Sequence, residues 1–202
     1  MTASTSEDGS RPVEVRVLNI ANVLTMLRIL LVPVFVVVFF NDGAEDAWWR
    51  VGAFVVFAVA MFTDYVDGYL ARRLGLVTDF GKIADPIADK ALIAAAMISL
   101  SLVHELFWWV TVVILVREVG ITLWRLFGVD HVVAASKGGK LKTVTQTVGL
   151  GMLILPLPHW FWPIEWAVMG VAVALTVYTG IDYLVKARRA ADAARESHDT
   201  PA

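Results

Sequence analysis

The sequence predicts an all-α integral membrane protein: a bundle of six transmembrane helices with both termini on the cytoplasmic side. Three observations carry the membrane prediction. Of the 202 residues, 58% are hydrophobic and 18% charged, whereas a soluble domain averages roughly 45–50% apolar and about 25% charged. The apolar residues fall into six stretches close to the roughly 17–25 residues that a helix needs to cross about 30 Å of hydrocarbon. Finally, all but one of the 17 Lys and Arg lie at or near one end of those stretches, Arg50 being the exception. The positive-inside rule assigns that end to the cytoplasm.

Met1 to Val13 is polar and slightly acidic, without the basic region and cleavage site of a secretory signal, and reads as a solvated tail. The first span, Val23 to Phe40, ends at the turn signal Asn41-Asp42-Gly43. The second runs from Trp48 to Ala71, the third from Ala84 to His104 and the fourth from Phe107 to Leu126. The fifth, Leu141 to Leu157, is closed by Pro156-Leu157-Pro158, and Phe161 to Val185 is the sixth. Ala187 to Ala202 reads as a fraying, polar helix end. The chain thus divides into a tail (1–13), one membrane domain (14–186) and a polar C-terminal tail (187–202). An even number of spans returns both termini to one side. The opposite end carries Asp42, Glu45, Asp46, Glu105 and Glu165, with Trp48, Trp49, Trp108, Trp109, Trp160, Trp162 and Trp166 as an aromatic belt. Cys is absent, which excludes disulfides, thiolate metal sites and cysteine nucleophiles. The net charge of −2 selects no partner, and nucleic acid is not expected among them.

Within this apolar chain the charges concentrate between Phe62 and Lys90, in FTDYVDGYLARRLGLVTDFGKIADPIADK. An ionisable residue inside a span costs about 2.5–3.5 kcal/mol on insertion scales, so a cluster there points to function. Asp64 and Asp67 are three apart on the second helix, and Asp85 and Asp89 four apart on the third, so each pair shares a helix face. Two helices joined by a short loop are natural antiparallel neighbours, and the two pairs converge. Four carboxylates in one shallow cavity require bound cations or held protons. Oxygen ligands select Mg²⁺, Mn²⁺ or Ca²⁺ and argue against zinc. Two such ions would hold a diphosphate and stabilise attacking and leaving oxygens. Gly68 and Ala71 allow phosphates close to the backbone. Arg72 is placed to pair with a phosphate, and Gly81 removes bulk before the second acid pair.

These residues resemble the signature of the CDP-alcohol phosphotransferase family, D-x2-D-G-x2-A-R-x8-G-x3-D-x3-D, complete here as Asp64, Asp67, Gly68, Ala71, Arg72, Gly81, Asp85 and Asp89. The resemblance implies a six-helix membrane fold, a homodimer, and two divalent cations, Mg²⁺ or Mn²⁺, held by Asp64, Asp67, Asp85 and Asp89. It implies that Asp89 is also the base that deprotonates the acceptor hydroxyl. Gly68, Arg72 and Thr78 would contact the cytidine diphosphate portion of the lipid donor. Asn22 and Thr25, in NVLT, are similar to a family segment that touches the nucleotide, although helix capping and backbone hydrogen bonding account for them equally well.

Beyond the signature, NIANVLTMLRILLVPVF, FGKIADPIADK, REVGITLWR, GGKLKTVTQ and TGIDYLVKA resemble one branch of the family over nearly the whole chain. That branch transfers a phosphatidyl group from CDP-diacylglycerol to sn-glycerol 3-phosphate and releases CMP. Arg117, Arg125, Lys140 and Lys142 lie near the cytoplasmic ends of helices four and five, on the side of the acids, and suit a phosphate-bearing acceptor. Arg117 and Glu118 fall within an apolar helix, where function or a buried ion pair is the stronger reading. Thr143, Thr145, Gln146 and Thr147 form a polar stripe that either lines the same cavity or bonds between helices. The signature alone does not separate glycerol 3-phosphate from inositol phosphate, serine or phosphatidylglycerol as acceptor. An ion-coupled transporter would leave the Gly, Ala and Arg of the motif without purpose, and the intact acids argue against a scaffold without catalysis. The expected location is the cell membrane, multi-pass, with the active site facing the cytoplasm.

Overall fold

A computed structural model describes residues 20–74, 79–127 and 137–198, with side chains chiefly over 23–66, 87–123 and 141–185. Met1 to Val13 and Thr78 lie outside the described residues. The described residues form six α-helices: α1 (Ile20–Phe40), α2 (Ala47–Leu74), α3 (Asp79–Leu102), α4 (Trp108–Phe127), α5 (Lys137–Ile154) and α6 (Trp162–His198). Each of the six apolar stretches falls on one of them, with boundaries displaced where polar residues extend a helix past its apolar part. Thus α3 begins at Asp79 and α5 at Lys137, and α6 runs on to His198 through the stretch read as a fraying end.

Among the described residues, three segments are long and apolar enough to cross a membrane: Val23–Ala44 (mean hydropathy 2.7), Ala47–Val66 (1.4) and His159–Val185 (1.7). Their outward faces are greasy, with Leu30, Val37, Phe62 and Tyr178 each more than 60% exposed.

α1 packs against both α2 and α3, which touch each other little. α5 lies along α6 and also meets α2 and α3, while α4 bridges α3 and α6. The dry core fills one half of this bundle. Phe35 and Phe39 of α1 stack with Phe57 of α2, ring centroids 5.7 and 6.1 Å from Phe35, beside Leu100, Ile114, Leu150, Ile154 and Met169.

The turns at this end are specified locally. Asp42, Gly43 and Ala44 take left-handed backbone angles (φ 55, 70 and 66°) and reverse the chain, a conformation that Gly adopts freely and Asp tolerates. Asp46 then caps α2, its Oδ1 accepting the Trp48 N–H at 2.6 Å. α3 ends in a Schellman motif: His104 is left-handed (φ 61°), its N–H reaches the Ser101 carbonyl, and the Glu105 N–H reaches that of Leu100. That reversal carries Glu105 to Arg50. The guanidinium makes a two-pronged pair with the Glu105 carboxylate at 2.7 and 2.6 Å, donates to the carbonyls of Ile154 and Leu153 at 2.9 and 2.6 Å, and lies 4.9 Å from the Phe39 ring centre. The single cation at this end therefore ties α2, the α3 exit and the end of α5 together. Trp48, Trp49, Trp108, Trp109, Trp160 and Trp162 are all exposed around it, as expected of interface anchors, whereas Trp166 packs on the core against Phe107.

Candidate active site

The other half of the bundle holds the charges. Both signature segments are helical, so Asp64 and Asp67 stand about one turn apart on α2 and Asp85 and Asp89 one turn apart on α3. Asp64 of α2 and Asp89 of α3 are near enough to repel each other. The link between the two helices is α1. Its Arg28, 1% exposed, reaches Asp64 at 2.7 Å (Nη1 to Oδ1), and its charge also acts on Asp89. The acids of α2 and α3 are thus brought together across a third helix rather than by direct packing of one on the other. Thr25, one turn before Arg28, is fully buried. The side chains of Asn22, Asp67, Gly68, Arg72, Asp85, Arg125 and Lys140 lie outside the described residues, although their backbones belong to α1, α2, α3, α4 and α5.

A second cluster adjoins the first. Glu118 on α4 accepts from Lys90 of α3 at 2.7 Å and Arg117 of α4 at 2.9 Å, and it pairs with Lys142 of α5. Arg117 also donates to Thr179 of α6 at 3.0 Å. Lys142 is 2% exposed, so its ammonium depends on Glu118 for a counter-charge. Asp89, Lys90, Glu118, Lys142, Thr143 and Gln146 all line one small cavity of about 70 Å³. The carboxylate expected to act as base and two of the cations around Glu118 therefore share one space.

Of the predicted polar stripe, Thr143 and Gln146 reach this cavity. Gln146 is 3% exposed; its amide donates to Met97 Sδ at 3.7 Å, and its Oε1 has no hydrogen-bond partner among the described residues. Thr145 instead bonds the Leu141 carbonyl one turn back. Thr147 faces a larger apolar groove of about 600 Å³ between α2 and α5. Phe54, Phe57, Met61, Val144 and Val148 line that groove, and Asp64 stands on its wall.

Arg28 and Lys90 entered the sequence reading only as markers of the cytoplasmic side. The signal for Arg28 was present, because an Arg six residues into an apolar span needs a partner there. Lys90 stands beside Asp89, and nothing in its position along the chain pointed to Glu118, 28 residues away.

The oxygen-only set of Asp64, Asp67, Asp85 and Asp89 suits hard divalent cations. Asp64 and Asp89 are close enough for their charges to interact, and bound cations would relieve that repulsion. Among the described side chains no three such donors cluster; Asp67 and Asp85 are not among them.

The CDP-alcohol phosphatidyltransferase family model matches residues 18–178, which include both clusters. The chain is 47% identical over 184 residues to a Mycobacterium tuberculosis protein named "Probable phosphatidylglycerophosphate synthase", covering 91% of this chain and 88% of that one. It is 37% identical over 183 residues to the CDP-diacylglycerol–glycerol-3-phosphate 3-phosphatidyltransferase of Bacillus subtilis, covering 83% and 94%. With the protein of the same name from Salmonella typhimurium it shares 38% over 177 residues, covering 84% and 95%.

Proposed function

The chain belongs to the CDP-alcohol phosphatidyltransferase family, and on that premise we propose that it transfers a phosphatidyl group from CDP-diacylglycerol to sn-glycerol 3-phosphate, releasing CMP. The observation that carries the acceptor is the cluster of cations beside Asp89: Lys90, Arg117 and Lys142 meet around one carboxylate, Glu118. Serine, or the headgroup hydroxyl of a neutral acceptor, has no dianion to place there. The relatives' names point to the same reaction.

In this reading Asp64, Asp67, Asp85 and Asp89 hold two divalent cations, Mg²⁺ or Mn²⁺. When bound, these neutralise the diphosphate of the donor and the charge that develops on departing CMP. Asn22, Thr25, Gly68, Arg72 and Thr78 bind the cytidine diphosphate portion. The acyl chains lie in the apolar groove between α2 and α5, which places the lipid phosphate beside Asp64. Arg117 and Lys142, with Arg125 and Lys140 further along α4 and α5, hold the acceptor phosphate. Asp89 accepts the proton of the attacking hydroxyl, which moves in line with the bond to CMP. Arg28 fixes the Asp64 carboxylate from α1. All six helices cross the membrane as the single domain 14–186, between the tails 1–13 and 187–202, and the termini and charged half face the cytoplasm. The protein works as a homodimer.

The test is CMP release by the purified protein from CDP-diacylglycerol with Mg²⁺ or Mn²⁺, with glycerol 3-phosphate, inositol phosphate, serine and phosphatidylglycerol offered in turn. Metal-dependent release with glycerol 3-phosphate alone is expected. Release only with another acceptor would overturn the acceptor assignment and leave the acid site standing.

A further inference from the structure

Glu118 is a charged group of the site to which neither the family signature nor the expected mechanism gives a part. We propose that Glu118 is a positioning residue for the acceptor phosphate: its carboxylate draws cations from α3, α4 and α5 into one site, where they outnumber the acids. This rests on the synthase reading above.

The geometry supports it in three ways. First, Lys90, Arg117 and Lys142 come from three helices and are held together by one carboxylate. Without it they would repel and separate, and Lys142, at 2% exposure, would be a buried charge with no counter-ion. Second, three cations against Glu118 and the neighbouring Asp89 leave a positive excess, larger once Asp89 holds a metal ion, and a phosphate monoester, carrying about −1.5 to −2 near pH 7, would neutralise it. Third, Glu118, Lys90 and Lys142 share their small cavity with Asp89, so a phosphate held by these cations keeps the rest of a short acceptor near the proposed base. Glu118 would not touch the acceptor, since like charges repel; it acts through the cations.

The experiment compares the full-length wild type with Glu118→Gln, Glu118→Asp and Lys142→Met in detergent, reading kcat and the KM of each substrate, inhibition by inorganic phosphate, and the melting temperature. Glu118→Gln is expected to raise the KM for glycerol 3-phosphate about tenfold or more, the order for one displaced charge-assisted contact. Inhibition by inorganic phosphate should weaken in parallel, while the KM for CDP-diacylglycerol changes less than about twofold. Glu118→Asp keeps the charge and should recover much of the loss, and it carries the same comparison if the Gln variant does not fold. In the Glu118→Gln/Lys142→Met double variant, the effects on acceptor KM should fall short of additive, because both act on one site.

An unchanged or lowered acceptor KM in Glu118→Gln, or an equal rise for both substrates, would overturn the proposal. A wild type inactive with glycerol 3-phosphate would instead sink the synthase reading, which keeps the two failures apart.

Discussion

Each half of the bundle is built around ion pairs, and the two pairings differ in their surplus charge. At one end Arg50 uses four of its five N–H donors: both prongs meet Glu105, two backbone carbonyls take further donors, and a Phe39 ring lies beside it. At the other, Glu118 faces Lys90, Arg117 and Lys142, and positive charge is left over. A charge-matched pair of this kind joins helices and leaves little positive charge to bind an anion. An unbalanced cluster keeps charge that an oppositely charged ligand can neutralise. The comparison suggests a way to separate structural from functional ion pairs in a membrane bundle: by residual charge and remaining donors rather than by burial, since Arg50 and Lys142 are buried alike.

The sharpest way to break this contrast is at Asp89. Asp89→Asn should leave the melting temperature in detergent near that of the wild type and lower kcat by roughly 10²- to 10⁴-fold, the range for loss of a general base. Near-normal turnover in a CMP-release assay would remove Asp89 from the mechanism. Next in size is Lys142→Met, a change of similar length that removes one phosphate-facing cation. We expect the KM for glycerol 3-phosphate to rise roughly 10- to 100-fold, as for a lost charged hydrogen bond. An equal rise in the KM for CDP-diacylglycerol would mean that the cluster serves the donor instead.

At the balanced end the expected pattern reverses. Arg50→Met should leave both KM values within about twofold while lowering the melting temperature by roughly 4–8 °C, from a loss of about 2 kcal/mol for a broken, partly buried pair. Adding Glu105→Leu should return part of that stability, because the orphaned carboxylate is then gone. A selective change in acceptor KM would erase the distinction between the halves. The smallest effect belongs to Trp48→Ala: at 83% exposure, this anchor should shift the melting temperature by no more than about 1–2 °C, as for a surface substitution.

Much of this was legible along the chain. Helix positions followed from apolar length, and the turn at Asn41-Asp42-Gly43 from residues that accept a positive φ. The register of Asp64 with Asp67 and of Asp85 with Asp89 followed from helical periodicity. These are local properties, set by hydration of side chains and by backbone sterics within a few residues. Other features required the folded chain. α1 stands against both acid-bearing helices, so Arg28, legible only as a basic residue, meets Asp64 across 36 positions. Gln146 reaches the cavity while its neighbour Thr145 turns to its own helix. The sequence shows that Lys90, Arg117, Glu118 and Lys142 are charged residues in or beside apolar spans. Only helix packing decides that they share one carboxylate, because pairing energy depends on distance and local dielectric, and both are set by which helices lie side by side.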